Sequence, residues 1–352
     1  MSEAENEVEV NEKPVGRQGK LYVMFEEDYL TGETFDYYKI GIVRGARDMK
    51  DREKEHRTGN PRRILTKFEL ECKEVQKLET LLHNVYATNR VSSGEWFVFS
   101  PNSLIEMWNF AQQQKQILDD NSVILDLSEK FKSLIEREGV VDSNQDIIEA
   151  VKRLKLIADE IKYCKSLMKV TEDMLKTQFE TDNSVEPYFK ESQRAAQNNF
   201  SVQVLKKKSP ELYSDFLTVT DTWQLKFLIQ MTDEELDLDA KFKQAYGSEQ
   251  EIKLLSNPID VHQKHLSLWG RKSQLILEEE ILEAQVISYC GEALQISEVF
   301  EWERKPKKAF DKNAFKALHP ELYEQCFVQT EAKTTKAIAE WATYLVPRHL
   351  VK

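Results

Sequence analysis

Two hydrophobic patterns divide this 352-residue chain. In the first hundred residues, short apolar runs rich in aromatic and β-branched side chains alternate with polar segments, which predicts strands followed by amphipathic helices. The predicted order is β-β-α-β-α-β, a compact α/β sandwich of about 80 residues. The predicted strands cover 20–25, 35–43, 64–72 and 95–99, and the predicted helices cover 46–57 and 74–88.

From residue 104 onward the apolar residues recur at helical spacing. A long helix is predicted from Asp142-Ser143, a candidate N-cap with Asp146 in an acidic first turn, to about Phe179. Its apolar residues form a seam that packs against another helix, either within the chain or in a partner, and the second arrangement offers a route to a homodimer. The seam consists of Ile147, Val151, Leu154, Ala158, Ile161 and Met168.

A weak internal repeat follows at an offset of 110 residues. The stretch 205–213, LKKKSPELY, matches 315–323, FKALHPELY, and Thr220-Asp221 keeps the same offset against Thr330-Glu331. Proline in the first helical turn after a polar cap marks a helix start, so duplicated helical packing units are predicted. In the alternative interpretation, the lysines beside each copy contact phosphates: Lys206, Lys207, Lys208, Lys305, Lys307, Lys308, Lys312 and Lys316.

These patterns predict an α+β protein in four segments. Residues 1–18 form a Glu-rich tail that is predicted to be disordered, because it has few bulky apolar side chains. Residues 19–103 form the sandwich, with a three-stranded antiparallel core sheet and flanking helices. Residues 104–200 form a helical or coiled-coil region, and residues 201–352 form an α-helical region that carries the repeat.

Composition excludes several classes of protein. Hydrophobic residues make up 41% of the chain, but no run approaches the ~20 apolar residues of a membrane span. The acidic N-terminus lacks the features of a secretory signal, so we expect a cytoplasmic protein with no membrane partner. His262 and His265 are expected to be ordinary surface residues. The cysteines are far apart and are expected to be buried and reduced, without a zinc site: Cys72, Cys164, Cys290 and Cys326.

The net charge of −12 is unevenly distributed. Between Lys39 and Lys67, ten basic residues stand against four acids, a local charge of +6 that suits phosphate binding. The region beyond residue 100 carries about −9, which argues against broad nucleic-acid binding there and favours a protein partner or self-association. The candidate nucleic-acid contacts within the basic stretch are Arg44, Arg47, Arg57, Arg62 and Arg63.

A set of short motifs points to phosphodiester chemistry. In chain order they are Tyr22 in LYV, YKIG at 38–41, Arg52-x-x-x-His56, Glu79, and GEWF at 94–97. Together they resemble the GIY-YIG nuclease superfamily, in particular its phage-associated branch, which has KIG in place of YIG and a trailing GEWF. The resemblance covers about 80 residues, under a quarter of the chain, and implies a GIY-YIG-type α/β sandwich.

The resemblance implies a role for each motif residue. Tyr22 would orient or deprotonate the attacking water. Lys39, where most of the superfamily has a second tyrosine, would contact the phosphate or depress the pKa of Tyr22, which leaves the general base open. Arg52 and His56 lie four residues apart on one helix face. Arg52 would bind phosphate oxygens, and His56 would relay a proton or hold the phosphate. Glu79 would be the single carboxylate ligand of Mg²⁺, or of Mn²⁺.

Residues beside these motifs have open assignments. His83 lies one turn after Glu79 and either hydrogen-bonds its carboxylate or packs against neighbouring side chains. Glu95 is expected to support the site or to form an ion pair with Arg52. Trp96 and Phe97 are expected to fill the core.

The sequence therefore predicts a divalent-metal-dependent endonuclease whose helical region serves targeting or oligomerisation. DNA is favoured over RNA on family grounds. The alternative is a non-cleaving nucleic-acid-binding or protein-adaptor module with a structural helical region. The complete set of motif residues favours the enzyme, because a decayed module would be expected to have lost at least one of them.

Overall fold

The computed structural model describes residues 17–45, 49–57, 62–91, 94–177, 188–230 and 238–345. Apart from its last two residues, the tail that was predicted to be disordered lies outside these ranges. Helices and strands are both abundant, and the α+β class is confirmed.

The N-terminal unit follows the predicted order of elements. They are β1 (Gly19–Glu27), β2 (Thr34–Arg44), α1 (Met49–Arg57), β3 (Arg63–Cys72), α2 (Val75–Val85) and β4 (Trp96–Val98), with a 3₁₀ turn at Ala87–Asn89 before the last strand. The strands form an antiparallel sheet in the order β3-β1-β2-β4. The predicted three-stranded core is thus extended by β4, a short edge strand.

The two faces of this sheet are covered by different helices. Because successive side chains of a strand point to opposite faces, Leu21 and Val23 pack against α2, whereas Tyr22 and Met24 pack with Met49 of α1. Both faces are therefore buried, and α1 and α2 lie on opposite sides of β1 and β2.

The rest of the chain alternates long helices with strands. Its elements are α3 (Pro101–Lys132), β5 (Val140–Val141), α4 (Gln145–Thr177), β6 (Phe189–Arg194), β7 (Gln197–Phe200), α5 (Val202–Lys208), α6 (Pro210–Asp215), β8 (Leu217–Phe227), α7 (Asp239–Tyr246), α8 (Glu249–Lys253), α9 (Pro258–Cys290), β9 (Gln295–Ile296), β10 (Phe300–Phe310), α10 (Lys312–Leu318), α11 (Pro320–Glu324), β11 (Phe327–Thr330) and β12 (Lys333–Ile338), with a 3₁₀ turn at Thr343–Leu345. The boundary predicted at residue 103 falls in the first turn of α3.

The apolar seam of α4 packs within the chain. All of its residues except the half-buried Ala158 are buried, for example Val151 in a cluster with Ile287 of α9, and Ile161 in a cluster with Leu268 of α9. The intramolecular interpretation is therefore correct, and this seam is not available for a homodimer. The helix is capped by Asn144 rather than by Asp142-Ser143, because the Asn144 side chain accepts a hydrogen bond from the Ile147 N–H at 2.9 Å.

The segment 201–352 differs from the predicted α-helical region. The predicted helix starts at Pro210 and Pro320 are confirmed, but long strands flank them. β8 and β10 pair antiparallel over their full length, and β6 and β7 pair with β12 and β11. The sequence of β8, LTVTDTWQLKF, is rich in β-branched and aromatic residues, which favour strands.

These strands form two ribbons that begin at opposite ends of α9. Ile338, at the end of β12, is buried with Val261 near the start of α9. Phe300, at the start of β10, is buried with Ile287 near the end of α9. At their other ends the ribbons meet in a small cluster of α5, α6, α10 and α11 side chains around Leu205, Phe315 and Tyr323.

Two expectations from composition concern the cysteines and the membrane. Every cysteine is free and buried, as predicted. Among the described helices, none is long and apolar enough to cross a membrane.

The expectation for His262 and His265 is wrong. Their exposed fractions are 0% and 5%, because α9 is enclosed by α4 and by the chain after β12. His262 Nε2 lies 2.9 Å from the carbonyl oxygen of Ala339, and His265 Nδ1 lies 2.8 Å from the Thr171 hydroxyl. Both imidazoles are thus internal packing groups with polar partners.

Lowering the pH should destabilise the fold through these histidines. Burial lowers the pKa of each imidazole from the usual 6.5 to about 4, so the unfolded chain binds more protons than the folded chain between these values. The free energy of unfolding should therefore decrease as the pH falls through this window, by about 1 kcal/mol per histidine between pH 7.5 and 5.5. Denaturant titrations at the two pH values measure the change.

A matched pair of variants separates titration from packing. His265→Gln should reduce the pH-dependent loss because it removes one titrating group. Thr171→Val removes the hydroxyl that lies 2.8 Å from His265 Nδ1 but no titrating group, and should lower stability by a similar amount at both pH values. An unchanged pH dependence in His265→Gln would contradict this assignment.

Candidate active site

The short strand β4 leaves part of β2 uncovered. It pairs with β2 at Tyr37, Tyr38 and Lys39, and within the described ranges no other strand pairs with that edge of β2. A cleft of about 680 Å³ lies at this edge. Its walls include Lys39, Arg52, Glu79, His83, Arg90 and Glu95.

The cleft collects side chains from both faces of the sheet. Arg52 comes from α1 on one face and Glu79 from α2 on the other, and both line the cleft and an adjoining hollow of about 410 Å³. The two helices cover opposite faces of the sheet, and Arg52 and Glu79 nevertheless line the same cleft beside β2. Arg44, from the end of β2, also lines the hollow.

Tyr22 reaches this edge by crossing β2 at Gly41. The two residues are paired across β1 and β2, and the tyrosine ring lies directly over the glycine. A Cβ atom at position 41 would lie 2.5 Å from the Tyr22 hydroxyl oxygen and 2.7 Å from Cζ. Gly41 of the YKIG motif is therefore required by the packing of Tyr22, and it has no positive φ angle to explain it.

The Tyr22 hydroxyl is the point at which the α1 residues converge. Arg52 Nε donates to it at 3.2 Å, and His56 Nε2 lies 3.3 Å from it. The spacing of four residues places both side chains on one face of α1. With the arginine as donor, the tyrosine O–H is directed to the imidazole nitrogen, provided that His56 is neutral there.

The electrostatic environment favours a neutral His56. Burial lowers the pKa of His56, and the nearby charges of Lys39 and Arg52 lower it further. Burial raises the pKa of Tyr22, against the hydrogen bond and charge of Arg52. Of the two roles expected for Lys39, the lowering of the Tyr22 pKa is not observed, because that pKa is raised and the cation that opposes the rise is Arg52.

Glu79 presents its carboxylate at the cleft from a nearly buried position. Its exposed fraction is 9%, and its Oε2 accepts a hydrogen bond from Gln76 Nε2 at 2.9 Å. Burial raises the pKa of Glu79, and the negative charge of Glu95 raises it further. A cation bound between such carboxylates would relieve this unfavourable interaction, so the oxygen donors suit a hard divalent ion.

The described residues offer few metal ligands. Among them there is no group of three or more His, Cys, Asp or Glu side chains arranged to hold a metal ion. Any Mg²⁺ or Mn²⁺ at this cleft would be held by Glu79 with help from substrate oxygens and water, which matches the hydration preference of magnesium.

Lys39 and Glu95 form an ion pair within the cleft. Lys39 Nζ lies 3.1 Å from Glu95 Oε2, because β4 and the preceding residues run beside β2. The ion pair expected between Glu95 and Arg52 is not formed. Arg52 instead pairs with Glu55 through Nη1 at 2.8 Å, which raises the pKa of the guanidinium.

His83 anchors the cleft wall and makes no hydrogen bond to Glu79. Its Nε2 lies 3.1 Å from the carbonyl oxygen of Ile40, and its ring centroid lies 5.2 Å from that of Phe97. Burial lowers the pKa of His83, so the neutral ring donates to the carbonyl. Phe97 is fully buried, as expected, whereas Trp96 is half-buried and also lines the cleft.

The candidate phosphate contacts are only partly brought together. Arg44 joins the site through a hydrogen bond to Gln76. Arg62 and Arg63 pair with Glu26 and Glu27 at 2.8 and 3.5 Å, and neither lines the cleft. Arg47 and the side chain of Arg57 lie outside the described residues.

Two cleft residues were not predicted from the sequence. Gln76 connects Arg44 to Glu79, and its position three residues before Glu79 on α2 is a helical spacing that indicates it. Arg90 donates from Nε to the carbonyl oxygen of Gly94 at 2.7 Å, and burial lowers its pKa. Arg90 lies just after a 3₁₀ turn, and no periodic pattern marks it.

Comparison with known proteins gives one match. Residues 19–112 match the family model described as the T5orf172 domain, a phage-associated domain. The matched segment is about a quarter of the chain and contains the whole cleft together with the first part of α3. No curated protein and no solved structure matches the chain.

Gly41→Ala should displace the Tyr22 ring. The new methyl group would lie 2.5 Å from the hydroxyl oxygen, and overpacking of this kind costs about 1–3 kcal/mol. Denaturant unfolding should show this loss in the wild-type background.

A double-mutant cycle checks the cause. In a Tyr22→Ala background the ring is gone, and Gly41→Ala should cost far less. An equal cost in both backgrounds would mean that the glycine is needed for another reason. The cycle depends only on folding and requires no assay of activity.

Proposed function

We propose that the N-terminal unit is a divalent-metal-dependent endonuclease with a GIY-YIG-type site, hydrolysing phosphodiester bonds in nucleic acid, with DNA favoured. The observation that carries the proposal is the meeting of Arg52 from α1 and Glu79 from α2 in one cleft, beside a tyrosine that contacts both Arg52 and His56. The match to a phage-associated domain sometimes linked to nucleases is consistent with this function.

The cleft has the charges that a phosphodiester requires. Arg52, Lys39, Arg44 and Arg90 line the cleft or the adjoining hollow, and the developing negative charge on phosphorus oxygens is stabilised by such fixed cations. Arg52 is the best placed of them, because its guanidinium is held at Nε by Tyr22 and at Nη1 by Glu55. A planar group held at a fixed angle suits the oxygens of a phosphate.

The proton path runs through Tyr22 and His56. A water molecule hydrogen-bonded to the Tyr22 oxygen can transfer its proton to that oxygen while the tyrosine proton passes to His56 Nε2. The 3.3 Å separation of the two groups and a neutral imidazole make this transfer possible. His56 is then the final proton acceptor, and Tyr22 orients the nucleophile.

The metal ion supplies Lewis-acid stabilisation of the phosphate when it is bound. Glu79 would hold it, and Gln76 fixes the Glu79 carboxylate by donating to Oε2. Glu95 forms an ion pair with Lys39, so the charges of these two cleft residues largely cancel each other.

The setting proposed for this activity is the cytoplasm. All four cysteines are free and buried, which suits a reducing compartment.

One active site cuts one strand, so a double-strand break would need two nicks or a dimer formed away from the α4 seam.

A plasmid-nicking experiment tests the proposal. Supercoiled DNA incubated with the full chain and Mg²⁺ or Mn²⁺ should be converted to the open-circular form. Glu79→Gln and Arg52→Ala should each lower the rate on the order of 100-fold, because each removes a group that acts on the reacting phosphate. Chelation of the metal should abolish nicking.

Glu71→Gln is the matched control. Glu71 is an exposed carboxylate of the same unit, on β3 and near Lys20, and its loss should leave the rate unchanged. Equal nicking by the parent and both site variants would assign the activity to a contaminant. DNA binding without nicking under either metal would favour the non-cleaving adaptor.

The pH dependence of nicking tests the role of His56. Its pKa is lowered from 6.5, so the acid limb of the rate profile should lie below pH 6.5, where the imidazole becomes protonated and stops accepting protons. Lys39→Met removes one of the charges that lower this pKa and should move the acid limb to higher pH. An acid limb that stays in place, or moves to lower pH, would contradict this assignment.

A further inference from the structure

The internal repeat is a two-fold arrangement of whole β-α-α-β units. We define the arm as residues 189–227 and 300–338. Its first copy runs β6-β7, α5, α6, β8, and its second runs β10, α10, α11, β11-β12. The strands of the two copies pair with each other. Phe200 faces Phe327 and Phe310 faces Leu217, and these two pairings interchange under the 110-residue offset.

The two ribbons therefore have one register. Ile338 faces Phe189 in the first ribbon and Phe300 faces Phe227 in the second, so both ribbons keep the same alignment from base to tip. A shared register of this kind follows from a local two-fold axis between the ribbons. The sequence repeat at 205–213 and 315–323 is the stretch in which the two copies share the most residues.

Ten positions of the arm are identical in the two copies. They are Glu191/Glu301, Arg194/Arg304, Phe200/Phe310, Lys206/Lys316, Pro210/Pro320, Glu211/Glu321, Leu212/Leu322, Tyr213/Tyr323, Thr220/Thr330 and Lys226/Lys336. The aromatic residues in this set belong to the cluster of α5, α6, α10 and α11 side chains at the far end of the ribbons, here called the tip. Together with the helix-start prolines, they explain the shared fold. The basic residues need a separate reason, because most of the lysines of the arm are exposed.

Lys206 and Lys316 occupy equivalent positions with equivalent contacts. The Lys206 ammonium lies 4.5 Å from the centroid of Tyr213, and that of Lys316 lies 5.2 Å from the centroid of Tyr323. Both lysines are exposed at the tip, where contact with the ring restricts their movement. The arm thus presents two positioned cations related by its local axis.

The arm is basic in an acidic protein. It contains fourteen Lys or Arg residues and ten Asp or Glu residues, a net charge of +4, so the rest of the chain carries −16. Cross-strand pairs such as Lys226 with Glu301 neutralise some of the basic residues, and the net positive charge comes from the others. The middle of the ribbons is exposed on both faces, so these strands build no core of their own and present polar surface instead.

We propose that the arm binds double-stranded nucleic acid, with its local two-fold axis on a dyad of the duplex and each copy contacting the phosphates of one strand. The two backbones of a duplex are antiparallel and related by such dyads, so two equivalent cations fit them equally. The acidic remainder of the chain repels phosphates and confines the contact to the arm and the cleft. The choice of nucleic acid as partner rests on the proposed function.

The test is binding of the full chain to a fluorescein-labelled 20-base-pair duplex in EDTA, followed by anisotropy over a series of salt concentrations. Lys206→Gln and Lys316→Gln should each weaken binding by a similar factor, about 3- to 10-fold, and the double variant by about the product. The slope of log K against log salt should decrease by about one for each lysine removed. A single strand should bind less tightly than the duplex.

Lys162→Gln is the matched control, because Lys162 is an exposed lysine on α4 outside the arm; it should bind as the parent does. Circular dichroism and the thermal midpoint check that all variants are folded. Parental affinity in both arm variants, or a loss confined to one copy, would overturn the proposal. A parent that sediments as a dimer and an arm variant that sediments as a monomer would also overturn it, since the arm would then be a self-association surface.

The measurement is independent of cleavage. A chain that binds through the arm but does not nick DNA retains this inference and loses the nuclease. If the parent chain nicks DNA and the arm variants bind the duplex with unchanged affinity, the nuclease proposal stands and the arm inference fails.

Discussion

The organisation of the cleft depends on the missing side chain at position 41. Tyr22 belongs to the face of the sheet that α1 covers, and only a glycine on the neighbouring strand allows its ring to reach the edge. Once there, the hydroxyl fixes Arg52 and His56. α1 has little apolar surface of its own; Met49 is its buried hydrophobic residue, and a hydrogen bond from Thr66 to Glu53 at 2.7 Å ties it to β3. The contacts of Tyr22 are therefore a large part of what positions this helix.

The sequence was informative where local pattern and tertiary contact agree. Strands and helices of the N-terminal unit were predicted in the correct order, because its apolar runs are the segments that build the buried sheet and the buried side of α2. Of the two alternatives for Glu95, the ion pair with Arg52 is not formed, since β4 lies along β2 and places the carboxylate beside Lys39. His262 was misassigned for a similar reason. The carbonyl that it contacts belongs to Ala339, 77 residues away, and no local pattern predicts such a contact.

Net charge averages over surfaces that the fold separates in the second half of the chain. An overall acidity beyond residue 100 suggested a surface that avoids nucleic acid, but the fold separates the charges. The ribbons and the helices between them carry a net charge of +4, while the acidic excess lies elsewhere. The ribbons themselves were missed because they are exposed on both sides and so lack the alternation of apolar and polar residues by which a half-buried strand is recognised.

The attachment of both ribbons to α9 has a mechanical consequence. They start beside Val261 and Ile287, which are about 40 Å apart along the helix at 1.5 Å per residue. An appendage tied down at two separated points cannot swing as a singly tethered domain does. The same helix closely approaches the end of α2 at Gly270, where a Cβ atom would lie 2.9 Å from Val85 Cα. Under the two proposals, a duplex bound at the far end of the ribbons would meet α2 at a constant separation, and cleavage would fall at a set number of base pairs from the bound segment.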